Sequence, residues 1–228
     1  MLRDGEAVPV GEWRSKKARD LLRLLVTRRG SSTPRDFIME TLWPNGDPLL
    51  TSNRLSVALN VVRRVLDPEH RFEPGRFVAS TSDGIRLEHV HVDVEHFLEK
   101  AGRALRLSET EEPARAVTLL EEATAAYGGD FLEEDRYEDW AAPLREEERS
   151  AYLDVLHALI STSEAVGRSP VRYHLRILAL DPFDEETHLG LVSTLSAAGR
   201  HGEAKRAYRR YVDRMDEISV EPAPRPER

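Results

Sequence analysis

Apolar residues recur at helical spacing near the start of the chain. Ala18, Leu21, Leu22 and Leu25 stand at i, i+3, i+4 and i+7, which predicts a helix over residues 16–29 with one buried stripe. Gly30 follows this stripe and is predicted to end the helix, because glycine tolerates the left-handed conformation common just after a helix.

A short second helix is predicted next. Thr33 is its predicted N-cap, with Pro34 and Asp36 in the first turn. Its apolar residues are Phe37, Ile38, Leu42 and Trp43. Residues 43–48 contain two prolines, a glycine and an asparagine, and they are predicted to form a loop.

A third helix is predicted over residues 52–66, with the sequence SNRLSVALNVVRRVL. Its apolar stripe comprises Leu55, Leu59, Val62 and Leu66. The opposite face carries Asn53, Val57, Asn60, Val61 and Arg64, with Arg54 at its flank. Asparagine binds adenine, arginine binds guanine or phosphate, and an aliphatic group contacts the thymine methyl, so this mixture favours a helix facing the DNA major groove. An ordinary amphipathic helix with exposed valines is the alternative.

The rest of the chain follows two patterns. Residues 77–87 alternate weakly and contain Asp83-Gly84, which predicts a β-hairpin, so that three helices followed by a hairpin make a winged helix. From residue 92 onward the apolar spacing is almost wholly helical. Gly199, Ala204 and Tyr208 stand at the spacing of a tetratricopeptide repeat, and Gly167 and Ala179 echo it upstream.

Charge divides the chain in the same way. The net charge is -8, which by itself argues against nucleic acid. Residues 1–90, however, carry 15 Lys and Arg against 12 Asp and Glu, and residues 13–64 alone carry 11 against 4. The remaining residues carry 18 against 29. A basic first third joined to an acidic remainder indicates two parts with different partners, of which only the first suits DNA.

Composition excludes several classes of protein. The 228 residues contain no cysteine, which excludes disulfides and thiolate zinc sites and fits a reducing cytoplasm. No apolar stretch is long enough to span a membrane, and the first ten residues lack the features of a signal peptide. We therefore expect a cytoplasmic protein with no membrane partner.

The order of these elements resembles the OmpR-type winged helix of the bacterial antibiotic-regulatory (SARP) class. The matching segments are KKARDLLRLL, the short helix ending in LW, SNRLSVALNVVRRVL and the hairpin. Farther on, GGDFLEEDRYEDWAAPLREEE, the stretch from ALDPFDEETHLGL to YVDRM, and ISVEPAP are similar to the bacterial transcriptional activator domain that follows the winged helix in this class. The resemblance covers nearly the whole chain in the family's order.

The resemblance implies a mainly α fold and a transcription regulator. Residues 1–90 would be a winged-helix DNA-binding domain with abbreviated N-terminal β structure, and residues 91–228 a tetratricopeptide-like activator domain. The third helix would lie in the major groove and the hairpin tip against the adjacent minor groove or backbone. Double-stranded DNA, RNA polymerase and a second copy of the chain are the implied partners. The candidate DNA-binding residues are Lys16, Lys17, Asn53, Arg54, Val57, Asn60, Val61, Arg63, Arg64, Thr81 and Ser82.

This sequence departs from the family's pattern at three places. Val61 stands where a basic residue is frequent, and the predicted wing has an acidic tip, Asp83, where arginine, proline and an aromatic are common. The family's domain also opens with more β structure than residues 2–10 supply, so either a partner segment is absent or the chain is a piece of something longer. Tyr137 and Trp140 are candidate interface anchors, with burial in the core as the favoured alternative.

Other functions have weaker support. His89, His91 and Asp93 would share one side of an extended strand and form a zinc site, although an edge strand with a polar face explains them equally. The acidic runs 109–112, 133–135 and 146–148 are explained by solvated helix faces, and no phosphate-binding glycine loop is present. We expect neither catalytic residues nor a metal or other cofactor. The remaining rival is a helical-repeat adaptor whose winged helix no longer binds DNA.

Overall fold

The structure, a computed structural model, describes residues 1–3, 5–110, 112–133 and 138–226. The strands are β1 (Leu2–Arg3), β2 (Glu6–Ala7), β3 (Val78–Thr81) and β4 (Gly84–Leu87). The helices are α1 (Lys16–Thr27), α2 (Arg35–Leu42), α3 (Pro48–Leu66), α4 (Asp93–Ser108), α5 (Pro113–Ala126), α6 (Ala142–Ala165), α7 (Val171–Leu180), α8 (Glu185–Ala197) and α9 (His201–Glu217). The predicted mainly α fold is confirmed. Among the helices described here, none is both long and apolar enough to cross a membrane.

The chain folds into two compact units. The first comprises Met1–Glu95 and Phe131–Arg145, and the second comprises His96–Asp130 and Glu146–Arg228. The predicted division into a winged-helix domain over residues 1–90 and an activator domain over residues 91–228 stays a prediction. All three tryptophans, Trp13, Trp43 and Trp140, belong to the first unit, so tryptophan fluorescence reports on that unit alone.

The first unit is built on the three helices α1, α2 and α3, which contact one another in pairs. The predicted stripe of α1 is buried, and so is Ile38 of α2. On α3, Leu55, Leu59 and Val62 are buried as predicted, while Leu66 is only half-buried. Apolar side chains at helical spacing therefore converge on one core, which the hairpin residues Val78, Ile85 and Leu87 complete.

Helix α3 begins at Pro48, four residues earlier than predicted. The Asp47 carboxylate accepts hydrogen bonds from the backbone N–H groups of Leu49 at 2.9 Å and Leu50 at 3.1 Å. Proline in the first turn costs no hydrogen bond, because the N–H it lacks would have no partner there. An aspartate followed by proline is therefore a helix start, which the loop prediction for residues 43–48 missed.

Alanine at position 47 is expected to destabilise the first unit by about 1 kcal/mol, because two backbone N–H groups lose their acceptor. Urea unfolding followed by tryptophan fluorescence measures this loss. Asp47→Asn keeps a capping oxygen and should retain most of the stability. Equal losses of unfolding free energy in Asp47→Ala and Asp47→Asn would show that the capping oxygen does not contribute to stability.

The hairpin is tied to the connection between α1 and α2. Strand β3 pairs antiparallel with β4, with Thr81 opposite Gly84. Thr33 adds a third segment, because its N–H donates to the Ile85 carbonyl at 2.8 Å and its carbonyl accepts from the Ile85 N–H at 2.9 Å. The prediction that Thr33 caps α2 is therefore wrong: Thr33 is held in the small sheet, and α2 begins at Arg35 without a side-chain cap.

The close contact between β4 and Thr33 requires a glycine at position 84. Its φ is +146°, and a Cβ there would overlap the carbonyl group of Thr33. Only a residue without a side chain lets β4 approach Thr33 closely enough to form the two hydrogen bonds.

The second unit is helical. Phe97, Tyr127 and Tyr152 form an aromatic cluster in its larger core, where the rings of Tyr127 and Tyr152 stack with centroids 3.8 Å apart. Helices α8 and α9 pack against each other around a smaller core, whose buried residues are Leu191, Val192, Leu195, Ala204 and Ala207. The chain after α9 returns to that helix, where the Ala223 N–H donates to the Tyr211 hydroxyl at 2.7 Å.

The segment between β4 and α4 does not form the predicted edge strand. Strand β4 ends at Leu87, and His89 has a φ of +53°, which interrupts the alternation on which a zinc site would depend. Among the residues that the structure describes, no group of three or more histidine and carboxylate side chains is placed to hold a metal ion.

One buried histidine is expected to make the stability of the second unit depend on pH. Burial lowers the pKa of His174 from 6.5 to about 4, with a smaller contribution from His157. Between these values the unfolded chain binds a proton that the folded chain does not, so stability is lost as the pH falls from 6.5 to 4. We expect a loss of up to about 3 kcal/mol from this residue.

Unfolding of the chain followed by circular dichroism at several pH values measures this loss. His174→Gln removes the titrating group and should flatten the dependence by the same amount. An unchanged slope in the His174 variant would contradict the assignment.

Candidate nucleic-acid interface

The exposed face of α3 mixes amide, guanidinium and aliphatic groups. Asn53, Val57, Asn60 and Arg64 follow one another at intervals of three and four residues, so they form one row along the helix. All four are exposed, and the Val57 side chain is 64% exposed although it is aliphatic. The row lies opposite the buried stripe, so the helix presents it to the surroundings of the first unit.

The polar residues of this surface form no side-chain bonds to other described residues. Within the part of the chain that the structure describes, the side chains of Asn53, Arg54, Asn60 and Arg64 have no hydrogen-bond or ion-pair partner. Two amides, which both donate and accept hydrogen bonds, and two guanidinium groups, which only donate, are therefore available to an external partner.

Arg63 differs from its neighbour Arg64. Its guanidinium donates to the Val78 carbonyl, with Nη2 at 3.1 Å, and to the Ser80 hydroxyl at 2.9 Å. Arg63 thus fastens α3 to β3 within the first unit. Both arginines are candidate DNA-binding residues in the sequence analysis. They cannot be told apart there, because the acceptors on β3 come to lie beside α3 only when the chain folds.

Val61 is half-buried and packs against the core of the first unit. The aliphatic character of this position is therefore explained by packing. Its predicted contact with DNA stays a prediction, and the structure gives Val57 much the greater exposure.

The early start of α3 adds two residues to the exposed surface. Leu49 is 80% exposed and Leu50 is 57% exposed. They stand four and three residues before Asn53, so they extend the same face toward the helix N-terminus. Sequence reasoning missed both, although the pair Asp47-Pro48 was the available signal.

The remaining candidates lie on α1 and the hairpin. The Lys16 ammonium is 3.7 Å from Glu138 Oε1, and Lys17 is 4.0 Å from the buried carboxylate of Asp20. Burial raises the pKa of Asp20, an effect that the charges of Lys16 and Lys17 oppose. Both lysine side chains remain about half exposed, and Lys17 also serves to offset a buried carboxylate.

At the hairpin tip, Thr81 and Ser82 are exposed. The Thr81 hydroxyl is 3.4 Å from the Gly84 carbonyl oxygen, and the Ser82 hydroxyl donates to the Asp83 carboxylate at 3.0 Å. The acidic side chain at the tip is thus held beside Ser82. Because Ser80 bonds Arg63, the base of this hairpin adjoins the flank of α3.

Trp140 is half-buried against the core of the first unit, and its indole N–H donates to Glu138 at 2.8 Å. This supports the core alternative over an interface anchor. Tyr137, the other candidate anchor, lies outside the described residues.

Comparison with known families supplies the context for this surface. The family model described as the bacterial transcriptional activator domain matches residues 92–228. The chain belongs to the bacterial transcriptional activator domain family. The match covers α4 to α9 and places the chain among transcription regulators, as the resemblance implied. It leaves the helices and hairpin of residues 1–91 outside the matched region.

A solved structure shares the fold of nearly the whole chain. Mycobacterium tuberculosis EmbR, determined in complex with a low-affinity phosphopeptide, matches 97% of this activator-domain chain with a TM-score of 0.79 and 21% sequence identity. This chain spans 59% of the length of the EmbR chain. A search of curated proteins finds no match.

Proposed function

We propose that this chain is a sequence-specific regulator of transcription that binds double-stranded DNA through a winged helix formed by α1 to α3 and the β3–β4 hairpin. The observation that carries the proposal is the row on α3, where exposed polar side chains without internal partners stand beside an exposed valine. The membership of the chain in the activator-domain family supports the same function.

The length and charge of α3 suit the major groove. Asn53 and Arg64 are eleven residues apart, so the row extends about 16 Å along the helix. The major groove of B-DNA is about 12 Å wide and admits one helix. The surrounding segment, residues 13–64, has 11 basic against 4 acidic residues, which favours association with phosphate.

Each residue type on the row has a distinct role in this proposal. Asn53 and Asn60 are placed to bind adenine edges, and Val57 to contact a thymine methyl group. Arg64 and Arg54 bind phosphate or guanine. Arg63 has no direct contact with DNA in this proposal, because its guanidinium donates hydrogen bonds to β3.

The family assignment extends the proposal to α4–α9. An activator domain contacts the transcription machinery or a second copy of the chain, so we propose RNA polymerase and self-association as its partners and activation as its effect. Stacked helices with a continuous surface suit protein contact better than catalysis, so we propose a regulator that is not an enzyme.

Selection from a pool of random duplexes, followed by titration at increasing salt, tests the proposal. A protein making six or more phosphate contacts is expected to lose affinity about 10³-fold or more between roughly 50 and 200 mM salt. The rival is a protein-binding adaptor, which the exposed Leu49 and Leu50 would also suit. An adaptor would enrich no sequence and bind no DNA at low salt, and that result would refute DNA recognition.

A further inference from the structure

Helix α9 of the second unit carries a cluster of positive charge on its outer side. Four exposed cationic side chains stand within residues 205–210 and form the basic face of α9: Lys205, Arg206, Arg209 and Arg210. The surrounding sequence is acidic, since residues 91–228 carry 18 Lys and Arg against 29 Asp and Glu. The basic face therefore differs in sign from the part of the chain to which it belongs.

The packing of α9 directs this face outward. The helix packs against α8, and the side that it buries carries Ala204, Ala207, Tyr211 and Met215. With about 3.6 residues per turn, the four cations lie on the side of the helix opposite these residues. The chain after α9 returns along the tyrosine side, where the Tyr208 hydroxyl donates to the Ala223 carbonyl at 2.9 Å. The basic face is thus left open to the surroundings.

The basic face of α9 has no bonded partner within the described part of the chain. None of its four side chains makes a hydrogen bond or an ion pair there. Glu203 is the one acidic residue between positions 201 and 212, and its carboxylate accepts hydrogen bonds from Arg200 at 2.7 Å. Like charges four residues apart destabilise a helix, and the face has two such pairs, at positions 205 and 209 and at positions 206 and 210. The helix gains nothing from this arrangement, whereas an anionic partner would relieve the repulsion.

The chemistry of the face favours phosphate over a protein or a membrane. The centre of a protein interface is rich in apolar and aromatic residues and poor in lysine, and a membrane-bound helix inserts an apolar face. None of the exposed large apolar side chains that the structure describes lies on α9, and the apolar side of this helix is packed against α8. The planar guanidinium of arginine binds phosphate through two parallel hydrogen bonds.

The density of charge on the face also suits duplex DNA. The four cations extend over about 7.5 Å of the helix axis, since each residue rises about 1.5 Å. Double-stranded DNA carries one negative charge per about 1.7 Å of its axis, so a segment of this length holds about four phosphates. The two charge densities are therefore comparable.

We propose that the basic face of α9 is a second DNA-binding surface, which contacts the phosphates of duplex DNA without reading their sequence. The choice of DNA as the polyanion rests on the function proposed above for α3. Phosphate contacts carry no sequence information of their own, so α3 supplies the base contacts and α9 adds attraction to any duplex. This attraction offsets the repulsion between DNA and a chain whose net charge is -8.

Titration of the full chain with two duplexes, one selected from the random pool and one of unrelated sequence, tests this proposal. The α9 variant combines Lys205→Gln, Arg206→Gln, Arg209→Gln and Arg210→Gln, and glutamine keeps the helix because it is a good helix former. Loss of four phosphate contacts should reduce the slope of log affinity against log salt by about 3.6 on both duplexes. The ratio of parental to variant affinity should accordingly fall about a hundredfold between roughly 50 and 200 mM salt. The preference for the selected duplex over its single-base variants should stay the same.

Two control variants separate the basic face from net charge and from folding. The charge control replaces four exposed arginines outside the face by glutamine and should keep the parental slope; they are Arg103, Arg106, Arg168 and Arg225. The conservative variant replaces the three arginines of the face by lysine, which preserves its charge, and should also keep the parental slope. Circular dichroism of each variant checks that α9 is retained.

The outcomes distinguish this proposal from the one for α3. A parental slope in the α9 variant, or an equal reduction in the charge control, would overturn the α9 surface, and an acidic protein would then be the better partner for it. Enrichment of one duplex sequence by the parent would still support α3 in that case. A parent that enriches no sequence, yet binds both duplexes with a slope that the α9 variant loses, would support α9 and refute recognition by α3. No binding of either duplex at low salt would refute both.

Discussion

Alanine at position 64 is expected to weaken DNA binding about tenfold or more on every duplex sequence. Arg64 is exposed and has no partner in the described structure, so its guanidinium is free to bind the phosphate backbone. A hydrogen bond to a charged group contributes about 1.5–3 kcal/mol. Loss of one phosphate contact should also reduce the slope of log affinity against log salt by about 1.

Asn53→Ala should behave differently from Arg64→Ala. Loss of an amide that binds a base edge relaxes the preference at one base pair, by about 1–3 kcal/mol, and leaves the salt slope nearly unchanged. Titration of the selected duplex and of its single-base variants measures both effects. If both variants bind the selected duplex as tightly as the parent, α3 is not the recognition helix.

Two further arginines serve as controls for Arg64. Arg103→Ala removes the same charge from an exposed position on α4 in the second unit and should leave DNA binding unchanged. Arg63→Ala removes the bonds to Val78 and Ser80, so it should lower the stability of the first unit as seen by tryptophan fluorescence. A loss of DNA affinity in the Arg103 variant as large as that in the Arg64 variant would indicate a nonspecific charge effect.

Alanine at position 84 is expected to destabilise the first unit by about 3 kcal/mol or more. The added Cβ overlaps the Thr33 carbonyl group, and the positive φ adds backbone strain. Relief of the overlap requires β4 to move away from Thr33, which breaks the two hydrogen bonds between Thr33 and Ile85. Urea unfolding followed by tryptophan fluorescence measures the loss.

Gly75→Ala separates strain from steric overlap. Gly75 also has a positive φ, +97°, but a Cβ there would meet nothing closer than 3.7 Å. Its expected loss is about 1 kcal/mol, from backbone strain alone. Equal losses at positions 75 and 84 would show that the approach of β4 to Thr33 contributes little to stability.

Local signals predicted most of the first unit. The stripe of α1 and the exposed face of α3 follow from the spacing of apolar residues, because a helix places residues three and four apart on one side. The hairpin follows from its turn residues. The start of α3 also had a local signal, the pair Asp47-Pro48. The prolines, glycine and asparagine around it led instead to the prediction of a loop.

The hydrogen-bond partners of individual residues could not be predicted from their neighbours in the sequence. Arg63 and Arg64 are adjacent and identical in type, yet only Arg63 meets acceptors on β3. Thr33 suits a helix cap, but pairing with Ile85, a residue far along the chain, places it in the sheet instead. Such choices depend on contacts between distant segments, which hydrophobic periodicity does not encode.

The sequence by itself determined the helices of the first unit and the face of α3 that carries Asn53, Val57 and Arg64, because helical periodicity is a property of neighbouring residues. Only the tertiary structure decided which of those side chains lack internal partners. It also decided that the imidazole of His174 lies against Gly190 with an unpaired nitrogen. Hydrogen-bond pairing and steric fit depend on which segments meet in space, so they are settled only when the chain is folded.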